Sequence, residues 1–419
     1  MRDTAARALS VALPDQPDLF GEYLKQLMEL YQEKVILSNN CSTNVQAKPV
    51  SPKYDKYGML VKTETETLNP GKIRLSLAQT LCHLGPVIPE NQVESILNFM
   101  ITHEALGDMD VEVSEKILSA GLVIIEHHAK RNLEGVLCIL NGYLDAPAKA
   151  SEVHDRIREA CVILLGSAAQ HLEASDPRTD SIINKLLATL KTPSESVQTA
   201  VCSCLPALIR SRIHRIPELT SALLTTLTTG AKYAERRGAA YGIAGIVAGA
   251  GIGSLYSPDI LSTLAAAALN KKDPKSREGA LFAYEALLYS LGRLFEPFIA
   301  NILPYLLVTY GDSASEVRNA TSDTAKMIMR TISGHCVKEI LPSLLGGLEE
   351  PQWRSKKGSI EMLGAMAYLA PKQLSISLPT IVPKLTGVLT DSHAQVRAAA
   401  NSSLLKFGEV VSSVVYVNG

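Results

Sequence analysis

A short element recurs along this sequence at a nearly constant interval. An apolar residue precedes a basic residue, and a small residue follows two places later, as in VRAAANSSLL, VRNATSDTAK and IREACVILLG. The basic position, here called the slot, returns every 38 to 42 residues, at Arg74, Lys116, Arg158, Gln198 (a neutral exception), Arg236, Arg277, Arg318, Lys356 and Arg397. A fixed period of about 40 residues is typical of repeats that bury their apolar faces against their neighbours.

A second marker sets the phase of each repeat. Six residues before the slot lies an acid in several repeats, as Asp312, Glu350 and Asp391, and eight residues before those acids lies a proline. We therefore expect a first helix that begins near the proline, a turn that carries the acid, and a second helix that carries the slot. Apolar residues recur at helical spacing and no alternating β-branched run persists. The sequence thus predicts an all-α fold, a right-handed α-solenoid of about nine helical hairpins.

The N-terminal part departs from this period. We expect residues 1–37 to form partial repeat units and residues 71–419 to form the repeat array. Residues 38–70 are polar and too many for a turn between helices, so they are expected to form an irregular insertion loop. Because the sequence starts in the middle of a repeat and ends directly after one, we expect it to be a piece of a longer array.

The stretch ERRGAAYGIAGIVAGAGIGSLY, residues 235–256, has three possible interpretations. Gly238, Gly242, Gly245 and Gly249 share one face of a helix, where a neighbouring helix could approach closely. A phosphate-binding loop is disfavoured, since GAGIGS lacks the final glycine and no strand is predicted before it. A membrane span is disfavoured because this run of about 18 uncharged residues is only weakly apolar. Helix packing is favoured, and the other two interpretations stay open.

Charge and motifs argue against an enzyme. The net charge of −1, from 41 basic and 42 acidic residues, gives no overall attraction to nucleic acid or membrane. No Walker sequence, GxSxG, HExxH or kinase signature occurs, and the seven scattered cysteines form no CxxC motif. We therefore expect a non-enzymatic protein of the reducing cytoplasm, without cofactor, metal, small-molecule ligand or membrane contact.

Charged turns supply the candidate sites. If equivalent turns lie along one edge, the basic turns form a surface for phosphate or an acidic partner. The candidate residues are Lys232, Arg236, Arg237, Lys271, Lys272, Lys275, Arg277, Arg354, Lys356 and Lys357, with Trp353 as a partner anchor or a core residue. The alternative is a structural ladder, in which slot residues pair with turn acids of the same or the adjacent repeat. Its expected members are Asp312, Arg318, Glu350, Asp391 and Arg397.

These features resemble the HEAT-repeat family, whose hairpins carry an acid in the turn and a basic residue six places later. Asp312 with Arg318 and Asp391 with Arg397 match that pattern, and Glu350 with Lys356 matches it with substitutions. Long strings, including KYAERRGAAYGIAGIVAGAGI and LPSLLGGLEEPQWRSKKGSIEMLGAMAYLAPKQLS, are similar to the ribosome-associated activators of the general amino acid control kinase. The central region of those activators is itself similar to the HEAT domain of fungal elongation factor three.

The resemblance implies a cytoplasmic scaffold on stalled or colliding ribosomes. It would touch ribosomal protein and RNA surfaces and promote phosphorylation of initiation factor two alpha during amino-acid starvation. The kinase itself would be bound through segments outside this chain. Two alternatives stay open. One is a nuclear transport adaptor or phosphatase scaffold that binds peptides on its concave face, and the other is a nucleotide-dependent enzyme that uses the glycine run.

Overall fold

The computed structural model describes residues 2–14, 16–43, 69–147, 151–256, 259–369 and 371–418. All regular secondary structure in these ranges is helical, which confirms the prediction of an all-α fold built from helical hairpins. The chain forms two compact units, Met1–Leu186 and Leu187–Gly419.

Within its described residues, the first unit contains the hairpins α2–α3, α4–α5 and α6–α7. Its helices are α1 (Arg2–Ala12), α2 (Pro17–Thr43), α3 (Pro70–Leu84), α4 (Glu90–Thr102), α5 (Val111–His128), α6 (Leu133–Asp145), α7 (Glu152–Ala169) and α8 (Arg178–Thr189), in which the unit ends. Apolar residues at helical spacing fill its core. On α5 these include Val113, Ile117 and Ile124, each of which is buried, and full burial of such a side chain contributes about 1.5–3 kcal/mol.

The second unit continues the same plan. Helix α9 packs on α11, and the hairpins are α10–α11, α12–α13, α14–α15, α16–α17 and α18–α19. The helices are α9 (Glu195–Arg210), α10 (Ile216–Thr229), α11 (Tyr233–Ala250), α12 (Ile260–Ala268), α13 (Pro274–Leu291), α14 (Glu296–Tyr310), α15 (Ser315–Thr331), α16 (Cys336–Gly346), α17 (Trp353–Leu369), α18 (Pro371–Val388) and α19 (Ala394–Asn418). In each of the hairpins named above, the slot residue lies in the second helix, as the period predicts, and the slot Gln198 lies on α9.

The expected insertion loop begins later than predicted. Helix α2 continues to Thr43, so residues 38–43 are helical rather than irregular. Serine and asparagine lower helix stability by only about half a kcal/mol each, which an established helix tolerates. The rest of the predicted loop, residues 44–68, lies outside the described residues, and α3 starts at Pro70.

The prolines chosen as helix starts lie inside helices. Pro304 is interior to α14, Pro342 to α16 and Pro383 to α18. An interior proline removes a backbone hydrogen bond and costs about 3 kcal/mol. In α14 the residues before it, including Ile299 and Ile302, keep helical spacing and are buried. Their burial outweighs that cost, so the helix begins a full two turns before the proline.

The glycine-rich stretch forms α11, with its glycines against neighbouring backbone. A Cβ added at Gly238 would lie 1.8 Å from the carbonyl oxygen of Leu190, and one added at Gly249 would lie 2.7 Å from that of Pro206. Real Cβ atoms do not approach other atoms so closely. These positions admit glycine alone, which supports the helix-packing interpretation. No strand precedes α11 within the described part of the chain.

By length and composition alone, one stretch of the described residues could cross a membrane. It is Pro274–Tyr310, with a mean hydropathy of 1.3 over its most apolar window. The stretch is two helices, α13 and α14, separated by a 3₁₀ turn in which Gly292 adopts φ +55°. Core helices of proteins without a membrane pass the same test, and Leu287 and Ile299 of this stretch are fully buried in the repeat core. It is weak evidence for a membrane span.

Candidate partner-binding surface

Several slot arginines bind the carbonyl oxygens of the preceding turn. Arg318 Nη1 donates to the carbonyl oxygens of Asp312 and Ser313 at 2.7 and 2.8 Å. Arg397 repeats this geometry with the residues six and five places before it, at 2.7 and 2.8 Å. Carbonyls at the end of a helix lack helical partners, and a guanidinium satisfies them while complementing the helix dipole. A strong donor is therefore needed at a fixed distance after the turn.

Some slot residues also reach the next repeat, and we call such a contact a rung. Ionic rungs join Arg74 to Asp108, Arg236 to Glu278, Arg277 to Asp312 and Lys356 to Asp391. In the third of these, Arg277 Nε and Nη2 donate to the two carboxylate oxygens of Asp312 at 2.6 and 2.9 Å. Paired guanidinium–carboxylate hydrogen bonds are strong and directional. Rungs of this kind therefore fix the register of adjacent repeats.

The rung aspartates are held in place by their own turns. Asp108, Asp312 and Asp391 each accept the backbone N–H two residues later, at 2.9 Å in all three cases. Aspartate has the side-chain length that suits this local bond. Each carboxylate is thus oriented by the backbone before the neighbouring repeat contacts it.

The rungs also stabilise the charged form of these carboxylates. Burial raises the pKa of Asp312, but hydrogen bonds from Arg277 and a backbone N–H outweigh burial and leave that pKa below its ordinary value. The hydrogen bond from Lys356, together with a backbone N–H, lowers the pKa of Asp391. The turns therefore carry ionised carboxylates in fixed positions.

Of the two pairings expected for the ladder, the structure shows the one between adjacent repeats and not the one within a repeat. Arg318 and Arg397 bind carbonyl oxygens of Asp312 and Asp391 and not their carboxylates. Those carboxylates face the slot residue of the preceding repeat instead. Glu350 is exposed and forms no ion pair or hydrogen bond with another described residue. Asp312 and Asp391 thus bind the preceding repeat and not the slot residue of their own repeat. The six-residue spacing within one repeat does not indicate this partner.

Three candidate contact residues are buried and paired inside the protein. Arg236, Arg237 and Arg277 are only 5%, 8% and 9% exposed. Arg236 binds Glu278 and two turn carbonyls, and Arg237 Nη2 lies 3.1 Å from a carboxylate oxygen of Glu195. A partner could reach these guanidinium groups only by breaking internal pairs, at several kcal/mol each. We therefore remove them from the candidate surface.

Four lysines of the candidate set are exposed, and we call them the turn lysines. Lys232 lies directly before α11, and Lys271, Lys272 and Lys275 lie at the turn and first residues of α13. Among the described residues, none of their ammonium groups pairs with a carboxylate. The acids nearest to them in sequence accept backbone N–H groups: Glu235 that of Lys232 at 3.3 Å, and Asp273 that of Lys275 at 2.9 Å. Exposed, unpaired ammonium groups suit the phosphates or carboxylates of a partner.

Trp353 packs at the joint between two repeats. Its half-buried ring stacks on that of His393, with 3.8 Å between centroids and 10° between planes. The Arg354 guanidinium carbon lies 4.6 Å from the Trp353 ring centroid. Lys356 is held in its rung, while Lys357 forms a long ion pair, 3.6 Å, with the glutamate four places later. Arg354 and Lys357 therefore remain as partly exposed candidates beside a packed Trp353.

Two rungs were not predicted from the sequence: one is formed by the neutral slot residue Gln198, and the other is completed by Glu278, which the sequence analysis did not single out. Gln198, the uncharged slot, donates from Nε2 to a carbonyl oxygen of α11 at 3.2 Å and so forms a neutral rung. Glu278 binds Arg236 from within a helix rather than from a turn. The spacing did carry a signal for the second of these rungs: Arg236 and Glu278 have opposite charges and lie 42 residues apart, about one repeat.

The basic candidate contact residues carry fixed positive charges. Among the described residues, no group of three His, Cys, Asp or Glu side chains could hold a metal ion. Burial raises the pKa of Cys161 to about 12 and that of Cys202 to about 11. Thiols in such surroundings stay protonated and are poor nucleophiles.

Comparison with known proteins places this geometry in a family. A family model described as the EF3 N-terminal HEAT repeat matches residues 236–404, and one described as the HEAT repeats of the stalled ribosome sensor GCN1 matches residues 1–170. Fold and family models together define the class: this is a HEAT-repeat protein. Within that class, the chain is homologous to the GCN1 proteins over nearly its whole length.

The relatives show how much of those proteins is covered. The chain is 42% identical to the stalled ribosome sensor GCN1 of Homo sapiens over 412 residues, which are 98% of this chain and 15% of that protein. It is 37% identical to the eIF-2-alpha kinase activator GCN1 of Saccharomyces cerevisiae over 393 residues, 93% of this chain and 14% of that protein. Elongation factor 3 of Gonapodya prolifera is 29% identical over 252 residues, 60% of this chain and 22% of that protein. The chain thus spans about a seventh of the GCN1 relatives.

Proposed function

We propose that this chain is a non-enzymatic scaffold that contacts the ribosome through the turn lysines. It would act as a segment of an activator of the general amino acid control kinase, and so promote phosphorylation of initiation factor two alpha when ribosomes stall or amino acids are scarce. The names of its relatives, stalled ribosome sensor and eIF-2-alpha kinase activator, support this role.

The observation that carries the proposal is the set of unpaired turn lysines. Lys271, Lys272 and Lys275 lie in the segment that matches the elongation factor 3 HEAT model, residues 236–404. The protein has almost no net charge, so a local excess of ammonium groups is what can attract a ribosomal surface. Arg354 and Lys357 of the same segment are proposed as a second point of contact.

We assign contact with the kinase to parts of the relatives that this chain does not cover. This segment would contribute ribosome contact in the cytoplasm, and the proposed partners are ribosomal RNA and protein surfaces. No step of this role needs a cofactor or a small-molecule ligand.

The test is a triple charge reversal, Lys271→Glu, Lys272→Glu and Lys275→Glu, assayed by co-sedimentation of the purified chain with ribosomes. We expect at least about a tenfold loss of binding at low salt. If the three lysines neutralise phosphates, the slope of log affinity against log salt should also fall by about two to three.

The matched control reverses three exposed lysines away from these turns, Lys25, Lys130 and Lys338. It changes the net charge equally, so it should retain most of the binding. Thermal unfolding of both variants checks that the fold is intact. Equal losses in the two variants would show that net charge, and not the turn lysines, governs the interaction, and the assignment of this surface would be withdrawn.

A further inference from the structure

Neighbouring second helices of the second unit pack closely where a rung joins them. Helices α9 and α11, α11 and α13, α13 and α15, and α17 and α19 lie against each other over long stretches. In these four pairs the slot residue of the earlier helix makes a rung: Gln198, Arg236, Arg277 and Lys356 respectively. Each of these four pairs of second helices is therefore both joined by a rung and closely packed.

The pair α15 and α17 is different. Their contact is far smaller than that of the other four pairs. The slot residue Arg318 directs Nη1 to its own turn and forms no ion pair within the described residues. In the next turn Glu350 is exposed, although it occupies the position of Asp312 and Asp391 in their repeats.

The turn acid of this repeat is longer than Asp312 and Asp391 by one methylene. Asp312 and Asp391 accept the N–H two residues later, which fixes the carboxylate toward the preceding repeat. The longer side chain of Glu350 makes no such bond, since this local turn is characteristic of aspartate and asparagine. An unfixed glutamate must lose more side-chain entropy to form a rung.

The first unit shows the same relation. Helices α3 and α5 pack closely and are joined by the rung from Arg74 to Asp108, whereas α5 and α7 make a smaller contact. Lys116, the slot of α5, forms no ion pair among the described residues. Six residues before the next slot lies a glutamate, Glu152, whose carboxylate lies 3.4 Å from Arg156 on its own helix. Here the joint is bridged by Arg156, which donates to the carbonyl oxygen of Asp108 at 3.1 Å, and the rung acid Asp108 lies eight residues before its slot instead of six.

We propose that the joint between α15 and α17 is a hinge, and that glutamate in place of aspartate at position 350 leaves it free to bend. The turn lysines lie on one side of this joint, and Arg354 and Lys357 lie on the other. A consequence, which rests on the proposed function, is that a ribosome touching both groups would restrain the hinge. The hinge itself needs no partner and is tested without one.

The test measures distances between spin labels on equivalent exposed positions of the second helices. The pair Asp323→Cys with Glu361→Cys spans the proposed hinge, and the pair Glu361→Cys with Ser402→Cys spans the rung-bearing joint of α17 and α19. In both, Cys41, Cys82 and Cys138 are replaced by serine, which leaves four buried thiols. We expect the distance distribution across the hinge to be roughly twice as wide as that of the control pair.

Reciprocal substitutions then test the cause. Glu350→Asp should supply the rung to Arg318 and narrow the distribution across the hinge. Asp391→Glu should remove the rung to Lys356 and broaden the control distribution, without a change in net charge in either variant.

Equal widths for the two labelled pairs, with positions 350 and 391 unchanged, would overturn the hinge. An unchanged hinge distribution in Glu350→Asp would overturn it as well. Circular dichroism confirms that each variant is folded, and no ribosome is present. A failure of this experiment would therefore not contradict the proposed ribosome contact. A failure of the ribosome-binding test would likewise not contradict the hinge.

Discussion

Gly238→Ala is the sharpest test of the packing of α11. The new Cβ would lie 1.8 Å from the carbonyl oxygen of Leu190, whereas real Cβ contacts are not shorter than 3.0 Å. The two segments must therefore separate by more than about 1 Å. That movement also strains the hydrogen bond from Gln198 Nε2 to the same carbonyl, now 3.2 Å.

The expected cost follows from two opposing effects. Overpacking of a dense core costs about 1–3 kcal/mol and occasionally more. Replacing a helical glycine by alanine gains about 1 kcal/mol. Because the obstacle is backbone, which cannot rotate away, we place overpacking at or above the top of its range. The net loss is then at least about 2 kcal/mol.

Urea unfolding followed by circular dichroism measures the effect as a shift of the midpoint. Gly387→Ala is the matched control, since Gly387 is helical and a Cβ there meets nothing within 4 Å. The control should be unchanged or stabilised by about 1 kcal/mol. Midpoints are compared because repeat arrays do not always unfold in two states. If Gly238→Ala were as stable as the control, the close approach at α11 would be refuted.

Further outcomes follow from the rungs and from Trp353. Asp312→Ala should destabilise by about 3–5 kcal/mol because it strands the buried guanidinium of Arg277, and the added substitution Arg277→Met should recover part of that loss in a double-mutant cycle. Since the folded pKa values of Asp312 and Asp391 are lowered, their contribution to stability is complete above the unfolded pKa of about 3.9 and is lost as pH falls through the folded values. Asp391→Asn should therefore flatten the acid limb of a stability–pH curve, and an unchanged limb would contradict this. His393→Ala should shift the emission of the single tryptophan, Trp353, to the red by uncovering one ring face.

The fold followed from the sequence because the information is local and periodic. Helical spacing within a repeat and the recurrence of the slot can both be recognised without knowing which helices pack together. The close packing of α11 could likewise be predicted, since four glycines on one face of a helix are typical of a close approach by a neighbouring segment. The helix boundaries were less well predicted: Pro304 is interior to α14 because burial of the preceding turns outweighs its cost.

The candidate surface could be predicted only in part, because the burial and pairing of its basic residues depend on contacts between adjacent repeats. Arg237 and Lys272 are both basic residues near a turn, yet the first is buried against the preceding repeat and the second is exposed. The residue spacing within one repeat predicts neither the burial of Arg237 nor the exposure of Lys272. Pairing of a slot residue with a turn acid of the adjacent repeat was expected, but Arg277 was placed among the contact residues, whereas it binds Asp312, 35 residues later.

If the turn lysines face the ribosome, a probe placed among them should react with it. Site-specific photo-crosslinking measures this contact, with benzoylphenylalanine incorporated at position 272 or, as a control, at the exposed position 338. We predict crosslinks to ribosomal components from position 272 and few from position 338. Equal crosslinking from both positions, or none from position 272 while the chain still co-sediments with ribosomes, would contradict the proposed contact.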